Sequence, residues 1–215
     1  MWGQPGKQLL FMGLEFAQQS EWADGRSLDW WLLEDPAHYR VHNLVKELNR
    51  IYREHKALWA FDSEPAGFEW IDADDKGGNT FSFLRFGEHD RSGDDVVAVI
   101  ANYSGQDKEW VRIGVPRGGD WKVILDTSGF EGDGRASQAD VVVTAVDEHW
   151  NNQPHHVTVR VAALSTLYLA PVTHTETQPA PESQPESQPE PESEPAPESE
   201  TETAPVRDGG TDSDA

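Results

Sequence analysis

The spacing of apolar positions divides the chain into stretches of different kinds. Residues 8–13, Gln-Leu-Leu-Phe-Met-Gly, form a continuous apolar run between Pro5-Gly6 and Gly13, the pattern of a short buried strand. Residues 14–35 show no period and read as a long loop rich in acids and Trp, a length that compact proteins mostly keep for function. At Asp35-Pro36 the pattern becomes helical. Asp suits the N-cap and Pro the first helical position, and Val41, Leu44, Val45, Leu48, Ile51 and Tyr52 recur at the spacing of one apolar stripe. Arg40, Lys46, Arg50 and Arg53 fall off that stripe, so the spacing predicts a helix from residue 36 to about Ala57-Leu58 with a basic outer face.

From residue 66 the period shortens. Phe68–Ile71, Thr80–Phe86, Val96–Tyr103, Trp110–Val115, Trp121–Asp126, Val141–Val146, Val157–Val161 and Ser165–Leu169 read as strands. Lys76-Gly77-Gly78-Asn79, Ser92-Gly93-Asp94 and Arg117-Gly118-Gly119-Asp120 punctuate them as turns. About eight short strands in about 105 residues predict an antiparallel β-sandwich. After Pro171 the apolar pattern ends. Residues 173–215 contain eight of the 14 prolines, 12 acidic residues and no aromatic, with Gln-Pro-Glu-Ser recurring imperfectly. Such a segment buries too little apolar surface to offset its ordering entropy, so the sequence predicts a disordered acidic tail with local polyproline character.

Charge narrows the partners. The 215 residues carry 17 Lys and Arg against 39 Asp and Glu, a net charge of −22, half of it in the tail. That balance argues against nucleic-acid phosphates or an anionic membrane as the main partner. No apolar run approaches the ~20 residues of a membrane span. Met-Trp-Gly-Gln-Pro-Gly has no basic segment leading into an apolar core, so no signal peptide is read and a cytoplasmic protein is expected. Zero cysteines exclude disulfides, thiolate catalysis and thiolate zinc sites.

Pro5-Gly6-Lys7-Gln8-Leu9-Leu10-Phe11-Met12-Gly13-x-Glu15-Phe16-Ala17-Gln18, then Glu21-Trp22, then Ser27-Leu28-Asp29-Trp30, closely resembles bacterial 1,4-alpha-glucan (glycogen) branching enzymes, of glycoside hydrolase family 13 in the alpha-amylase superfamily. The resemblance continues through Leu44-Val45, Leu48-Asn49 and Tyr52, and through Phe61-Asp62 with Gly67-Phe68-Glu69-Trp70-Ile71. It ends around Ile113–Pro116 and Ala163–Leu167, covering residues 1–171 and excluding the tail.

The resemblance implies a mixed fold in three parts. Residues 1–60 correspond to the end of a catalytic (β/α)8 barrel: eighth strand, active-face loop and last helix. Residues 61–172 correspond to the all-β C-terminal domain, and residues 173–215 are the tail. It also implies that the catalytic carboxylates lie upstream of residue 1, since retaining glycosyl transfer needs two carboxyl groups about 5 Å apart and no replacement pair is evident. The chain is expected to be a C-terminal fragment, inactive alone, whose partners are α-glucan and the missing N-terminal barrel portion. One barrel strand without neighbours leaves Leu9, Leu10, Phe11 and Met12 on an unpaired apolar edge, so residues 1–30 are expected to be poorly ordered or to drive association.

Substrate-binding candidates follow from the same template. Glu15, directly after the strand, is placed to line the glucan cleft; the alternative is a carboxylate that bonds loop amides. Trp22, Asp29 and Trp30 share the loop, where Trp faces suit sugar C–H surfaces and a carboxylate accepts hydroxyls; the alternative is packing of the loop itself. Trp70, beside Asp72, Asp74 and Asp75, is a surface glucan platform or a core Trp on an edge strand. Glu34 and Tyr39 at the loop-to-helix junction complete the set. Asp72–Gly77 lacks the ligands of a calcium loop, His89-Asp90 lies in a polar turn, and His155-His156 lacks companions at metal spacing, so no metal and no cofactor is expected. Two other readings stay open: a stand-alone glucan-binding β-sandwich module, and another alpha-amylase-superfamily glycosyltransferase or hydrolase.

Overall fold

The computed structural model describes residues 1–89, 91, 95–130, 132 and 137–172; the expected disordered tail, Asp90 and the expected turn at Ser92-Gly93-Asp94 lie outside them. Residues Met1–Thr175 form one compact unit.

All eight predicted strands are present: β1 (Phe68–Asp75), β2 (Thr80–Phe86), β3 (Val96–Asn102), β4 (Lys108–Val115), β5 (Gly119–Asp126), β6 (Val142–Ala145), β7 (His155–Val161) and β8 (Ser165–Pro171). Six of them form an antiparallel sheet in the order β1-β2-β3-β8-β5-β6, and β4 pairs with β7 in a second, two-stranded sheet. Between the sheets lies a core of Leu84, Phe86, Ala98, Ile100, Ile113, Val115, Trp121, Val157, Leu167 and Leu169.

The larger sheet is covered on its other face as well. Phe83, Val97, Val99, Leu125 and Tyr168 point away from β4 and β7 and meet Leu48, Ile51, Ala57 and Leu58. This explains why β3 reads Val-Val-Ala-Val-Ile-Ala without alternation: a strand buried on both faces needs apolar side chains on both. Tyr168 lies within this second layer, and burial pushes its phenol above the usual range.

The covering layer is α1 (Pro36–Glu54) with a one-turn 3-10 segment, Lys56–Leu58. Asp35 Oδ1 accepts a hydrogen bond from the Ala37 amide at 2.7 Å, and Pro36 occupies the first helical position as the sequence predicts. The helix stops short of the expected residue 58, because His55 turns to extended backbone after its N–H bonds Ile51 O at 3.0 Å.

The strand expected at residues 8–13 does not form. A strand needs a neighbour with which to exchange backbone hydrogen bonds, and the described chain offers this segment none. It leads instead into a tight turn at Met12 and Gly13, with φ +89° at Gly13, and a 3-10 turn over Leu14–Phe16.

A buried ion pair ties this N-terminal segment to the sheet. Arg85 on β2, fully buried, reaches Asp62 Oδ1 at 2.7 Å and donates to the carbonyls of Gly3, Leu58 and Gly67. Asp62 also receives Lys7 at 3.0 Å and the Tyr52 hydroxyl at 3.3 Å. The bond to Asp62, with its negative charge, raises the Lys7 ammonium above its ordinary value. Trp2 Nε1 donates to Asn49 Oδ1 at 2.9 Å on α1.

Candidate functional site

The loop from Leu14 to Asp35 is laced by its own polar groups. Phe16 is buried, and its carbonyl lies 2.8 Å from Nδ1 of buried His38 on α1, which anchors the start of the loop to the helix. Gln18 spans the loop: its amide bonds Gly13 O at 2.9 Å while its side-chain Oε1 accepts from the Asp29 amide at 2.9 Å. A Cβ at Gly13 would press on that Gln18 side chain at 2.7 Å, so the turn needs glycine for space as well as for its φ. Asp29 takes the Ser20 hydroxyl on one oxygen and Arg26 on the other at 3.0 Å, and Arg26 also bonds Glu21 O at 2.8 Å.

Two recesses open beside this loop. The larger, about 730 Å³, runs between the loop and the outer side of α1 and is lined by Leu10, Met12, Glu15, Leu28, Tyr52 and the helical polar row His42, Lys46, Asn49 and Arg53. The smaller, about 250 Å³, lies among Phe11, Met12, Leu14, Gln18 and Trp22. Glu15 Oε2 accepts from the Gly13 amide at 3.0 Å, so this carboxylate both bonds the turn and lines the larger recess. Trp22 stands edge-on to Phe11 at 5.4 Å, and Trp30 leans on Phe16 at 5.1 Å; both rings keep an exposed side.

Glu15, Trp22, Asp29 and Trp30 thus belong to one loop, with Asp29 the most internally engaged. Glu34 and Tyr39 are exposed at the start of α1 and line neither recess. Trp70 belongs to edge strand β1 on the helix-covered face, edge-on to Phe68 at 5.0 Å and to Phe83 at 5.8 Å, and is 49% exposed. It is therefore half a packing residue and half an open platform.

Sequence reasoning missed the helical wall of the larger recess. His42, Lys46, Asn49 and Arg53 lie on the polar side of the predicted helix, and nothing in their period distinguishes a groove wall from a solvated face. It also passed over Trp31 and Trp110, both widely exposed. Among the described residues, no group of three or more His, Asp and Glu is placed to hold a metal, and no helix is long and apolar enough to cross a membrane. His156 is buried beside Trp150, with its Nδ1 3.3 Å from Glu148 O.

The sandwich and its neighbours can be compared with known proteins. Residues 70–172 match the family model described as alpha amylase, C-terminal all-beta domain. The similarity to curated proteins runs over more residues than that domain holds. The 1,4-alpha-glucan branching enzyme GlgB of Leifsonia xyli subsp. xyli is 46% identical over 171 residues, 79% of this chain and 22% of the relative. That of Frankia casuarinae is 45% identical over 176 residues, 80% of this chain and 21% of the relative. The chain therefore spans about a fifth of the length of these relatives, and the resemblance read from its first blocks is borne out. The type I pullulanase structure of Bacillus subtilis strain 168, complexed with maltose, is 16% identical over 75% of this chain and 20% of that one, with a TM-score of 0.49. A structural likeness of that size adds nothing to the assignment.

Proposed function

We propose that this chain supplies the C-terminal part of a 1,4-alpha-glucan branching enzyme, which moves α-1,4-glucan segments to 6-hydroxyls and so forms α-1,6 branches in glycogen biosynthesis. The observation that carries this reading is the 46% identity over 171 residues to a relative of that name. On this reading residues 1–60 are the end of the catalytic barrel, residues 61–172 the C-terminal β domain and residues 173–215 an acidic tail, in a cytoplasmic enzyme. Residues 8–13 take strand form only when the neighbouring barrel strands are present to bond them.

The loop then contributes the rim of the glucan cleft. Glu15, Trp22 and Trp30 face the sugar, Asp29 holds the loop in shape through Ser20 and Arg26, and Glu34, Tyr39 and Trp70 extend the surface outward. The nucleophile and the acid/base come from the rest of the enzyme, because the loop's Glu15 and Asp29 are bonded to their own loop. The purified chain is accordingly expected to leave the iodine colour of amylose unchanged. The same residues joined to the remaining barrel of a relative such as the Leifsonia enzyme are expected to restore branching, seen as a shift of that colour. Branching by the 215-residue chain alone, or a joined enzyme that hydrolyses amylose without forming α-1,6 bonds, would overturn the proposal.

A further inference from the structure

The most exposed aromatic residue lies far along the chain from the loop. Trp110 on β4 is 86% exposed. Val111, Ile113 and Val115 on the same strand point into the inter-sheet core, so Trp110, Arg112 and Gly114 point outward. On the paired strand β7, Val157, Val159 and Val161 point inward, which sends His156, Thr158 and Arg160 to the same outer face. Arg112 stands opposite Thr158, and Gly114 opposite His156.

Both ends of this face are built. At the Trp110 end of the strand pair, Arg160 bonds Asp107 at 2.6 Å and lies 3.6 Å from Glu109, fixing two carboxylates. At the other end Trp150 lies beneath the Arg112 guanidinium, 5.1 Å from ring centre to Cζ, and against His156. Gly114 lets that end close down, since a Cβ there would collide with the Trp150 carbonyl. Trp110 and Gly114 are four residues apart on one strand, about 13 Å along the face. Between and beside them lie Arg112, Thr158 and Arg160.

An indole 86% exposed contributes almost nothing to the core, and leaving it in water is unfavourable. An open indole at one end, an Arg112-capped Trp150 that is still 39% exposed at the other, and ionic groups and a hydroxyl between them match one ligand chemistry. A linear sugar chain offers apolar C–H faces for the rings and a row of hydroxyls for the carboxylates, the guanidinia and Thr158. We infer that the outer face of β4 and β7 is a second carbohydrate-binding surface, which takes a short linear α-glucan across Trp110 and Trp150. The choice of α-glucan rests on the function proposed above; the surface is separate from Trp70 and from the loop.

The test is affinity electrophoresis of the full chain in native gels containing glycogen, with soluble maltoheptaose as competitor. Trp110→Ala is expected to weaken retention about fivefold, the loss of one stacking contact, with an unchanged thermal midpoint because the side chain is exposed. Trp70→Ala serves as the reference, and the double variant is expected to lose more than either single variant. Retention of Trp110→Ala equal to that of the unaltered chain, with Trp70→Ala impaired, would overturn this surface and leave the proposed function standing. An unaltered chain that glycogen does not retard at all would also overturn this surface, while the proposed function stands or falls by the branching assay of the joined enzyme.

Discussion

Arg85 shows how a single side chain organises this molecule. Its guanidinium is out of reach of water and serves Asp62 and three carbonyls from three separate stretches: Gly3, Leu58 and Gly67. Removing it leaves the Asp62 carboxylate, itself 3% exposed, with Lys7 as its remaining ion pair. Arg85→Met is therefore expected to cost about 3–5 kcal/mol, read from urea unfolding of the chain, and a loss under 1 kcal/mol would contradict this account. The Arg is visible in the sequence as Phe-Leu-Arg-Phe, but a charged residue in an apolar strand does not declare its partners.

His55 gives the pH dependence. Burial lowers its imidazole pKa below the ordinary value, so the unfolded chain takes up the proton more readily. Stability from this group is complete above the unfolded value of about 6.5 and falls as pH drops through it. Urea midpoints are expected to fall between pH 7.5 and 5.5, and His55→Gln to flatten that slope. Arg50 holds Glu47 below the carboxylate range, the Thr80 hydroxyl and the Gly78 amide do so for Asp75, and Lys122 does so for Asp140. Their stabilisation is lost only as pH falls through and below about 4, a separate and more acidic step.

At the scale of elements, α1 and the strands were legible because local signals and tertiary demands agree. Asp35-Pro36 starts the helix where the cap bond is found, and Asp35→Ala is expected to cost about 1 kcal/mol in the same unfolding measurement. Seven of the strands were placed within about two residues, since alternation and turn glycines mark them directly, while β1 runs four residues past the expected Ile71, to Asp75. How they would assemble was not legible: no local pattern says that β4 leaves its neighbours to pair with β7, or that β8 inserts between β3 and β5. Gly114 reports that assembly, since it matters only because Trp150 crosses above it. Gly114→Ala is expected to destabilise by about 1–3 kcal/mol and to loosen Trp150, visible as a change in Trp fluorescence. Residues 8–13 form no strand here for the complementary reason: the apolar run is the signal of a strand, but a strand is a property of a pair.

At the scale of the whole molecule, residues Met1–Thr175 carry a closed core on one side and an open apolar edge on the other. Leu9, Phe11, Met12 and Leu14 are all about half exposed or more, Leu9 at 73%. Such a patch is unusual in a monomer and marks a surface that something normally covers. The chain is expected to self-associate in sedimentation velocity as its concentration rises, and Leu9→Ser with Phe11→Ser to suppress this. A monomer at every accessible concentration would show the edge to be harmless. The candidate site has the same character. Its loop residues were read from motif blocks, whereas the groove wall on α1 and the Trp110–Trp150 face exist only where separate segments meet.

The sequence by itself determined the helix, the eight strands and the kinship with the branching enzymes, because each rests on side chains near one another in the chain. Tertiary structure alone decided the partition into sheets of six and two strands, the Arg85–Asp62 joint and the form of residues 8–13. Those depend on partners tens of residues apart, and the free energy of a contact is set by what it meets in space.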